Sequence, residues 1–231
     1  MKADFHMHTN FSKDSQSSPE EMIQESICRG LKTICITDHH DINFTEPGFE
    51  IDFERYIPTL QMLQEKYKDK IEILIGMEFG LQPEFGGFAK ELANKYSFDF
   101  IIGSFHCLGK DDLYRYDFSK VDGPSVLEEF YIYVNKCLKE FKDYDVAGHL
   151  TIIDRYIGKI YDYKPYMDII EDTLKTIIYD GKGIEINTSS FKYGTGIWLP
   201  RQEVLQLYKD LGGEILTFGS DSHEPKYFQY H

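Results

Sequence analysis

The chain has 231 residues, with 25 lysines and arginines against 39 aspartates and glutamates, and its formal net charge is −14 at pH 7. Hydrophobic residues make up 42% and aromatic residues 15%, which is enough to fill a sizeable core and excludes a mainly disordered chain. The acidic balance offers no basic surface for a nucleic-acid backbone or an anionic membrane. It still permits a small anionic substrate, because bound metal ions can reverse the local field.

Short runs typical of strands alternate with helical runs along the chain. Strands are predicted, in chain order, at residues 3–8, 31–38, 71–76, 98–106, 145–150, 184–187 and 214–218. Helices are predicted between them at residues 19–29, 53–67, 88–96, 126–141, 166–179 and 200–211, with polar loops at 39–49 and 109–124. This alternation predicts parallel β/α units in a single domain, residues 1–231. An open doubly wound sheet also fits, but no glycine-rich nucleotide motif follows the first strand.

Histidines, carboxylates and an amide concentrate at the carboxyl ends of these predicted strands. They are His6, His8, Asp38, His39, His40, Glu78, His106, His149, Glu185, Asn187, Asp221 and His223. In a parallel barrel the carboxyl ends of all strands gather on one face, and that face carries the chemistry. We therefore expect these side chains to form one site.

The spacing of these residues indicates metal binding. His6 and His8 lie two residues apart on one strand, so their side chains point the same way and can hold one ion together. Imidazole and carboxylate ligands suit zinc, manganese or iron(II). The number of ligands exceeds what one ion can use, so we expect two to three divalent ions.

The motifs resemble those of the PHP (polymerase and histidinol phosphatase) superfamily, and most of all its histidinol-phosphate phosphatases. The matching motifs are His6-Met7-His8-Thr9, Thr37-Asp38-His39, Glu78 after Gly76, Ser104-Phe105-His106, Gly148-His149 and Ser220-Asp221-Ser222-His223. The resemblance implies a distorted (β/α)7 TIM-like barrel with a trinuclear metal centre. Only eight residues follow His223, so the last helix is expected to be missing, and a C-terminally truncated chain, a fragment or a natural short form would each explain this.

The resemblance also implies three groups of metal ligands. They are His6, His8, Glu78 and Asp221 for one ion, Glu78, His106 and His149 for a second, and Asp14, His39 and His223 for the third. Glu78 would bridge two ions. Asp38 is expected to orient its surroundings rather than to bind metal. His40 is an ambiguous neighbour of His39, because strand geometry alone does not choose between adjacent positions.

The implied activity is the hydrolysis of L-histidinol phosphate to L-histidinol and phosphate in histidine biosynthesis, by attack of metal-bound hydroxide. Glu78, Asp221 and His223 would carry the catalysis, and Asp221 or His223 would protonate the leaving oxygen. Three alternatives remain. One is a PHP-type phosphoesterase with another substrate, such as a phosphotyrosine protein or a nucleotide. The others are a barrel that cleaves C–N bonds and an inactive metal-binding barrel.

Arginines are the next residues to consider, because a guanidinium suits bidentate phosphate binding. Arg155 and Arg201 follow predicted strands on the catalytic side and are predicted to bind the phosphate, with a surface ion pair as the alternative for each. Ser104 and Asn187 are predicted to line the site. The expected partner is therefore a small phosphorylated substrate, with no nucleic acid and no membrane. Without a signal peptide or a long apolar run, we expect a cytoplasmic protein, and nothing indicates its oligomeric state.

Overall fold

The computed structural model describes residues 2–42, 44 and 47–228. Its strands are β1 (Ala3–Asp4), β2 (Thr33–Ile36), β3 (His39–His40), β4 (Glu72–Gly80), β5 (Phe100–Ser104), β6 (Cys107–Leu108), β7 (Asp111–Asp112), β8 (Val146–Ala147), β9 (Gly183–Asn187) and β10 (Leu216–Gly219). Its α-helices are α1 (Pro19–Cys28), α2 (Phe53–Tyr67), α3 (Gly86–Lys95), α4 (Gly123–Glu140), α5 (Ile153–Tyr156), α6 (Met167–Tyr179) and α7 (Gln202–Asp210).

Seven strands form the main sheet in the order β1-β2-β4-β5-β8-β9-β10, with every neighbouring pair parallel, and the short β3 adds to β4. Each strand therefore lies beside the next one along the chain, as right-handed β/α units require. Backbone hydrogen bonds join the two ends of this path, from Phe5 N–H to Phe218 O at 2.8 Å and from Asp221 N–H to His6 O at 2.8 Å. The sheet is thus nearly closed, which confirms the predicted (β/α)7 TIM-like barrel.

Apolar side chains cover both faces of the sheet. A small buried cluster, formed by Cys35, Phe100, Ile102 and Val146, is separate from the larger core. Phe100 and Ile102 share one face of β5 with Ser104, since strand side chains alternate, and Ser104 contacts the polar site. This cluster therefore fills the barrel below the site, and the larger core lies between the strands and the helices.

Local signals in the sequence explain where the helices begin. Ser18 is the N-cap of α1 and accepts the Glu21 N–H, while the Glu21 carboxylate accepts the Ser18 N–H at 2.7 Å. Pro19 at the first helical position needs no hydrogen-bond partner for its nitrogen, so the predicted start is confirmed. Among the residues that the structure describes, no helix combines the length and the apolar character needed to cross a membrane.

Strand ends differ more from the prediction than helix ends do. Strand β4 continues to Gly80, so Glu78 lies inside it rather than after it. Strand β1 ends at Asp4, four residues before the predicted end, and the His6 N–H beyond it donates to the Asp4 carboxylate at 3.2 Å. The predicted loop 109–124 contains β7, and positions 43, 45 and 46 of the loop 39–49 lie outside the described residues.

Two further differences concern helices. The four-residue α5 was not predicted, because a single turn shows no periodicity in the sequence. Between β10 and residue 228, the described chain has a 3₁₀ turn at Pro225–Tyr227 and no α-helix, as expected from the sequence. Residues 229–231 lie outside the described part of the chain.

Candidate metal centre

The carboxyl ends of the barrel strands bring together all nine side chains that the sequence predicts as metal ligands. Glu78 lies in β4 and His39 in β3, whereas the remaining residues follow the ends of β1, β5, β8 and β10. The cluster consists of His6, His8, Asp14, His39, Glu78, His106, His149, Asp221 and His223. Their metal-binding role stays a prediction, but their convergence is what one shared site requires.

Glu78 is the centre of this cluster and is fully buried. Its Oε1 atom lies 2.9 Å from His149 Nε2, 3.2 Å from His106 Nε2 and 3.3 Å from His6 Nε2. Its Oε2 atom lies 2.6 Å from His39 Nδ1. Burial by itself would raise the pKa of Glu78, but the positive charges of His6 and His39 outweigh burial and lower that pKa well below its usual range.

The histidines differ in protonation because their neighbours differ. Burial would lower the pKa of His6, but the charges of Glu185 and Glu78 raise it well above the usual value. Burial lowers the pKa of His8, and repulsion from His39 lowers it further. Charged and neutral imidazoles therefore lie side by side, and a bound cation would take the place of protons here.

Several buried atoms of the cluster have no hydrogen-bond partner, namely Glu78 Oε2, His39 Nδ1 and His149 Nδ1. Glu78 Oε2 and His39 Nδ1 approach to 2.6 Å, but their alignment makes no hydrogen bond. The Nε2 atoms of His6 and His8 face each other at 3.1 Å. Buried polar atoms are costly unless another group satisfies them, so these residues fit divalent cations.

The possible ligands fall into overlapping groups of three, in which the ligand atoms lie within 4.8 Å of one another. The groups are His8, His39 and His223; His6, His149 and Asp221; His6, His8 and Glu78; His39, Asp41 and His106; and Glu78, His106 and His149. The last group is the one expected for the second ion. Asp14 Oδ2 lies 3.1 Å from His223 Nε2 and 3.6 Å from His39 Nε2, so the three residues expected for the third ion are also neighbours.

Two of these residues have backbone conformations that are uncommon outside glycine. The φ angle is 22° at His149 and 51° at Asp221. Hydrogen bonds from their amides hold both in place, one from His149 N–H to Glu185 Oε2 at 2.8 Å and one from Asp221 N–H to His6 O at 2.8 Å. Such strain costs about 1–3 kcal/mol per residue and persists at functional sites, where the surrounding structure enforces it.

A cavity of about 770 Å³ opens above the cluster, which is the size of a small-molecule site. Part of its lining comes from the cluster itself, including His106 and His149. The other walls carry aromatic and cationic side chains, including Phe44, Phe49, Tyr114, Tyr156, Tyr193, Arg115, Arg155 and Lys192, together with the carboxylates Glu21, Asp112 and Glu224. The cavity thus combines a polar floor with flat apolar walls and positive charge.

Arg155, on α5, lies in the cavity wall directly beside the cluster. Its Nη2 atom donates to Ser189 Oγ and to Asp221 Oδ2, the latter at 3.2 Å. The guanidinium packs against the Tyr193 ring, with 4.8 Å between its Cζ atom and the ring centroid. Its Nε atom is buried and has no hydrogen-bond partner in the described structure. The structure therefore brings Arg155 to the place that the sequence predicts.

Arg201 lies elsewhere, and the prediction that it faces the site is not met. Its Cζ atom lies 3.2 Å from the centroid of the Tyr163 ring, and both of its Nη atoms donate to Tyr161 O at 3.0 Å. Its Nε atom lies 3.2 Å from Asp154 Oδ2. Arg201 is buried and is absent from the described cavity lining. Its contacts with Tyr161, Tyr163 and Asp154 hold its side chain in the protein interior.

Ser104 and Asn187 support the cluster from below rather than line the cavity. Ser104 Oγ donates to Glu78 Oε1 at 2.6 Å. Asn187 Nδ2 donates to Glu185 Oε2 at 3.2 Å, and its Oδ1 accepts the Ser189 N–H at 3.0 Å. Both residues are fully buried, so their contacts position other residues of the site.

The ambiguity between His39 and His40 is also resolved by position. His40 points into the core, where its Nδ1 accepts the Ile51 N–H at 3.0 Å, and burial lowers its pKa to about 4. His39 alone of the two reaches Glu78. Asp38 accepts the Ser12 hydroxyl at 2.6 Å and thus orders the loop after β1, as expected.

Sequence reasoning missed several residues of the site. Lys192, Tyr156 and Tyr193 line the cavity. Lys192 was missed because only arginines were considered as phosphate-binding cations. Asp41, which was not considered from the sequence, hydrogen-bonds to His106, and Glu185, which was expected in the site but given no role, hydrogen-bonds to His6. A signal existed for both carboxylates, because each lies two residues from another site residue on the same strand or strand end.

Comparisons with known proteins identify the family and the fold. The chain belongs to the PHP domain family, whose model matches residues 4–189. Two of its similar relatives are a histidinol-phosphatase and a probable histidinol-phosphatase. It is 32% identical over 237 residues to the histidinol-phosphatase of Lactococcus lactis, covering 97% of this chain and 85% of the relative. It is 34% identical over 229 residues to the probable histidinol-phosphatase of Clostridium acetobutylicum, covering 96% and 87%.

A solved structure of a histidinol phosphate phosphatase has the same fold as this chain. The crystal structure of the histidinol phosphate phosphatase from Lactococcus lactis, complexed with zinc, L-histidinol and phosphate, matches with a TM-score of 0.86. The match has 29% sequence identity and covers 97% of this chain and 87% of the other. The family and the barrel that the motifs predict are thereby confirmed.

Proposed function

We propose that the protein is a histidinol-phosphatase, which hydrolyses L-histidinol phosphate to L-histidinol and phosphate in histidine biosynthesis. The observation that carries this proposal is the position of Arg155. Its guanidinium lies in the wall of a cavity whose floor is a cluster of histidines and carboxylates, with 3.2 Å between Arg155 Nη2 and Asp221 Oδ2. A phosphate oxygen can thus meet the arginine and the metal-binding cluster at the same time. The relatives that carry this enzyme's name cover nearly the whole chain.

The proposed cofactors are two to three divalent cations, zinc, manganese or iron. His6, His8, Glu78 and Asp221 would hold one, Glu78, His106 and His149 a second, and Asp14, His39 and His223 a third. The unpartnered atoms around Glu78 support this assignment, as does the zinc in the Lactococcus structure. When bound, such cations activate water near neutral pH and stabilise charge on phosphate oxygens.

The chain's own residues would bind and orient the phosphate. Arg155 has an unpartnered Nε atom, and the rings of Tyr156 and Tyr193 pack against its guanidinium and limit its motion. Lys192 and Arg115 add two further positive charges to the cavity wall. Bidentate binding by arginine fixes the direction of the phosphorus–oxygen bonds, whereas lysine acts as a point charge.

The proton for the leaving oxygen has two proposed sources in the chain, Asp221 and His223. Burial would raise the pKa of Asp221, but the positive charge of His6 and a hydrogen bond with His8 lower it well below its usual range. Asp221 is therefore ionised at neutral pH and has no proton to give. The His223 ring lines the cavity and its side chain is 19% exposed, but it could give a proton to the leaving oxygen only in a state in which it does not hold the third ion.

The walls of the cavity suit the rest of the substrate. Tyr114 and Tyr156 line one side, with their ring centroids 6.2 Å apart in an edge-to-face arrangement. A flat imidazole ring can pack against such surfaces. Glu224 also lines the cavity and would favour a positively charged amine.

Phosphate release tests this function. The substrates are histidinol phosphate, phosphotyrosine and AMP, each with and without a chelator. We expect kcat/KM for histidinol phosphate to exceed that for each of the other two substrates by at least about tenfold, because the aromatic side of the cavity can pack against the imidazole. The chelator should abolish release, and zinc, manganese or iron should restore it.

A matched variant sharpens this experiment. Glu78→Gln keeps the size of the central side chain but removes its charge, so it should lose activity with all three substrates. Failure to release phosphate from histidinol phosphate with any of the three metals would reject the proposal. Faster hydrolysis of phosphotyrosine or AMP would favour another phosphoesterase activity instead.

A further inference from the structure

Two histidines of the cluster are held from behind by buried carboxylates. His106 Nδ1 lies 2.7 Å from Asp41 Oδ1, and His6 Nδ1 lies 2.6 Å from Glu185 Oε1. The opposite nitrogens, the two Nε2 atoms, lie 3.2 Å and 3.3 Å from the same oxygen, Glu78 Oε1. Each ring is therefore fixed between an outer carboxylate and the centre of the site.

Glycines make room for both carboxylates. A Cβ atom at Gly80 would lie 1.7 Å from Asp41 Oδ1, and a Cβ atom at Gly219 would lie 2.0 Å from Glu185 Oε1. Neither glycine has a positive φ angle, so backbone conformation does not require glycine at these positions. At Gly80, glycine is required by the space that the Asp41 carboxylate occupies, and at Gly219 by the space that the Glu185 carboxylate and the His6 Cβ atom, at 2.4 Å, occupy together.

Both carboxylates are buried, with Asp41 3% and Glu185 1% exposed. Glu185 uses both of its oxygens, since Oε2 accepts the His149 N–H at 2.8 Å while Oε1 contacts His6. Asp41 Oδ1 contacts His106 Nδ1. A buried carboxylate on Nδ1 accepts its proton and leaves the Nε2 lone pair free to face the centre.

We propose that Asp41 and Glu185 are positioning residues, which fix the ring orientation and tautomer of His106 and His6 so that both Nε2 atoms are directed at the metal centre. This inference rests on the proposed function only in requiring that the cluster binds cations. It assigns a role to two carboxylates beyond the nine predicted ligands. It also explains why Gly80 and Gly219 lie at their strand ends.

The test on Asp41 measures metal binding to metal-free protein, by competition with a chromophoric chelator for Zn²⁺ and Mn²⁺. Asp41→Ala should weaken the affinity about 10- to 100-fold and leave the number of ions bound at saturation unchanged. Asp41→Asn should stay within about threefold of the wild type, because its amide oxygen still accepts the Nδ1 proton. Gly80→Ala should behave like Asp41→Ala, because its Cβ atom displaces the unaltered carboxylate.

Glu185→Ala should weaken the affinity over the same range, and Glu91→Ala, an exposed site on α3, is its matched control. Should Glu185→Ala fail to fold, Glu185→Asp withdraws the carboxylate by one methylene and should also weaken binding. Unchanged affinity in Asp41→Ala and Gly80→Ala would overturn the proposal. Loss of one bound ion at saturation would also overturn it, since Asp41 would then be a ligand itself. These measurements involve no substrate, so a failed phosphatase assay would not affect them.

Discussion

At the scale of single residues, Arg155 and Arg201 show how similar positions in a sequence reach different surroundings. Both follow strands at the same end of the barrel, and both were predicted to bind phosphate. The Arg155 guanidinium faces the cavity, whereas that of Arg201 packs on Tyr163 and pairs with Asp154. The loop position was predictable, but the direction of a long side chain depends on partners that are distant in the sequence.

Arg155→Ala is expected to raise KM for histidinol phosphate, and the inhibition constant of inorganic phosphate, about 10- to 100-fold. The reason is the loss of charge-assisted hydrogen bonds to the phosphate, each worth about 1.5–3 kcal/mol. Steady-state kinetics and metal analysis check this, with the exposed Arg55→Ala as control. Unchanged KM would contradict the role of Arg155, and loss of metal would mean that it supports the cluster instead.

Asp154 provides a prediction about pH. Burial is the largest influence on this carboxyl and raises its pKa from 3.8 to about 6, although the Tyr163 hydroxyl and Arg201 favour the ionised form. The folded state therefore keeps a proton that the unfolded state has lost between these two pH values. The contribution of Asp154 to the free energy of unfolding is thus largest below about pH 4 and is lost as pH rises through 6.

Asp154→Asn cannot ionise, so the difference in unfolding free energy, variant minus wild type, is expected to increase by about 1–3 kcal/mol between pH 4 and pH 7. Denaturant titrations at intervals of one pH unit measure this difference. A difference that stays constant over the range would show that burial does not disfavour the ionised carboxyl.

At the scale of elements, helices were predicted more accurately than strands. The residues 53–67 predicted for α2 are those observed, because its buried side chains recur with the helical period and can be read locally. Strand β4 extends beyond its prediction because it pairs with β3 and β5 along its length, with Glu78 opposite both His39 and Ile102. Such pairing joins distant segments, and no local pattern reveals it.

Gly76 and Gly87 form a matched pair for testing the packing of these elements. A Cβ atom at Gly76 in β4 would lie 2.5 Å from Cys35 Sγ and 2.8 Å from the backbone oxygen of Phe100. At Gly87 in α3, a Cβ atom would meet nothing within 4 Å. Gly76→Ala should therefore overpack the barrel and lower the free energy of unfolding by about 1–3 kcal/mol or more.

Gly87→Ala should instead stabilise the protein by about 0.5–1 kcal/mol, because alanine restricts the unfolded chain and favours the helix. Thermal and urea unfolding of both variants measure the two effects. Equal effects of the same sign would show that the space around these glycines does not control stability.

At the scale of the whole molecule, the order of motifs along the chain was enough to predict the barrel and the residues that converge in it. The grouping of ligands around separate ions was not fully predictable, because it depends on distances between strands. His8, for example, groups both with His6 and Glu78 and with His39 and His223. The assignment of residues 1–231 to one domain stays a prediction.

Metal removal should affect the stability of the whole barrel. The cluster joins residues of six strands. A ligand that binds only the folded state stabilises that state by about 3–4 kcal/mol when the free ligand concentration is 100 to 1,000 times the dissociation constant. A chelator should thus lower Tm, and added zinc or manganese should restore it. The Glu78→Gln variant should respond less to either addition. If neither chelator nor metal changes Tm in the wild type, the cluster does not bind cations in the folded protein.

The closure of the barrel by its first and last strands has a consequence for how the protein is made. His8 N–H donates to Ser222 O at 2.9 Å, so residues from the two ends of the chain meet at the metal-binding cluster. During translation, His6 and His8 emerge from the ribosome early, whereas Asp221 and His223 emerge late. A nascent chain therefore presents His6 and His8 long before Asp221 and His223, which complete the site. The complete cluster becomes available to cellular metal only after His223 has been synthesised.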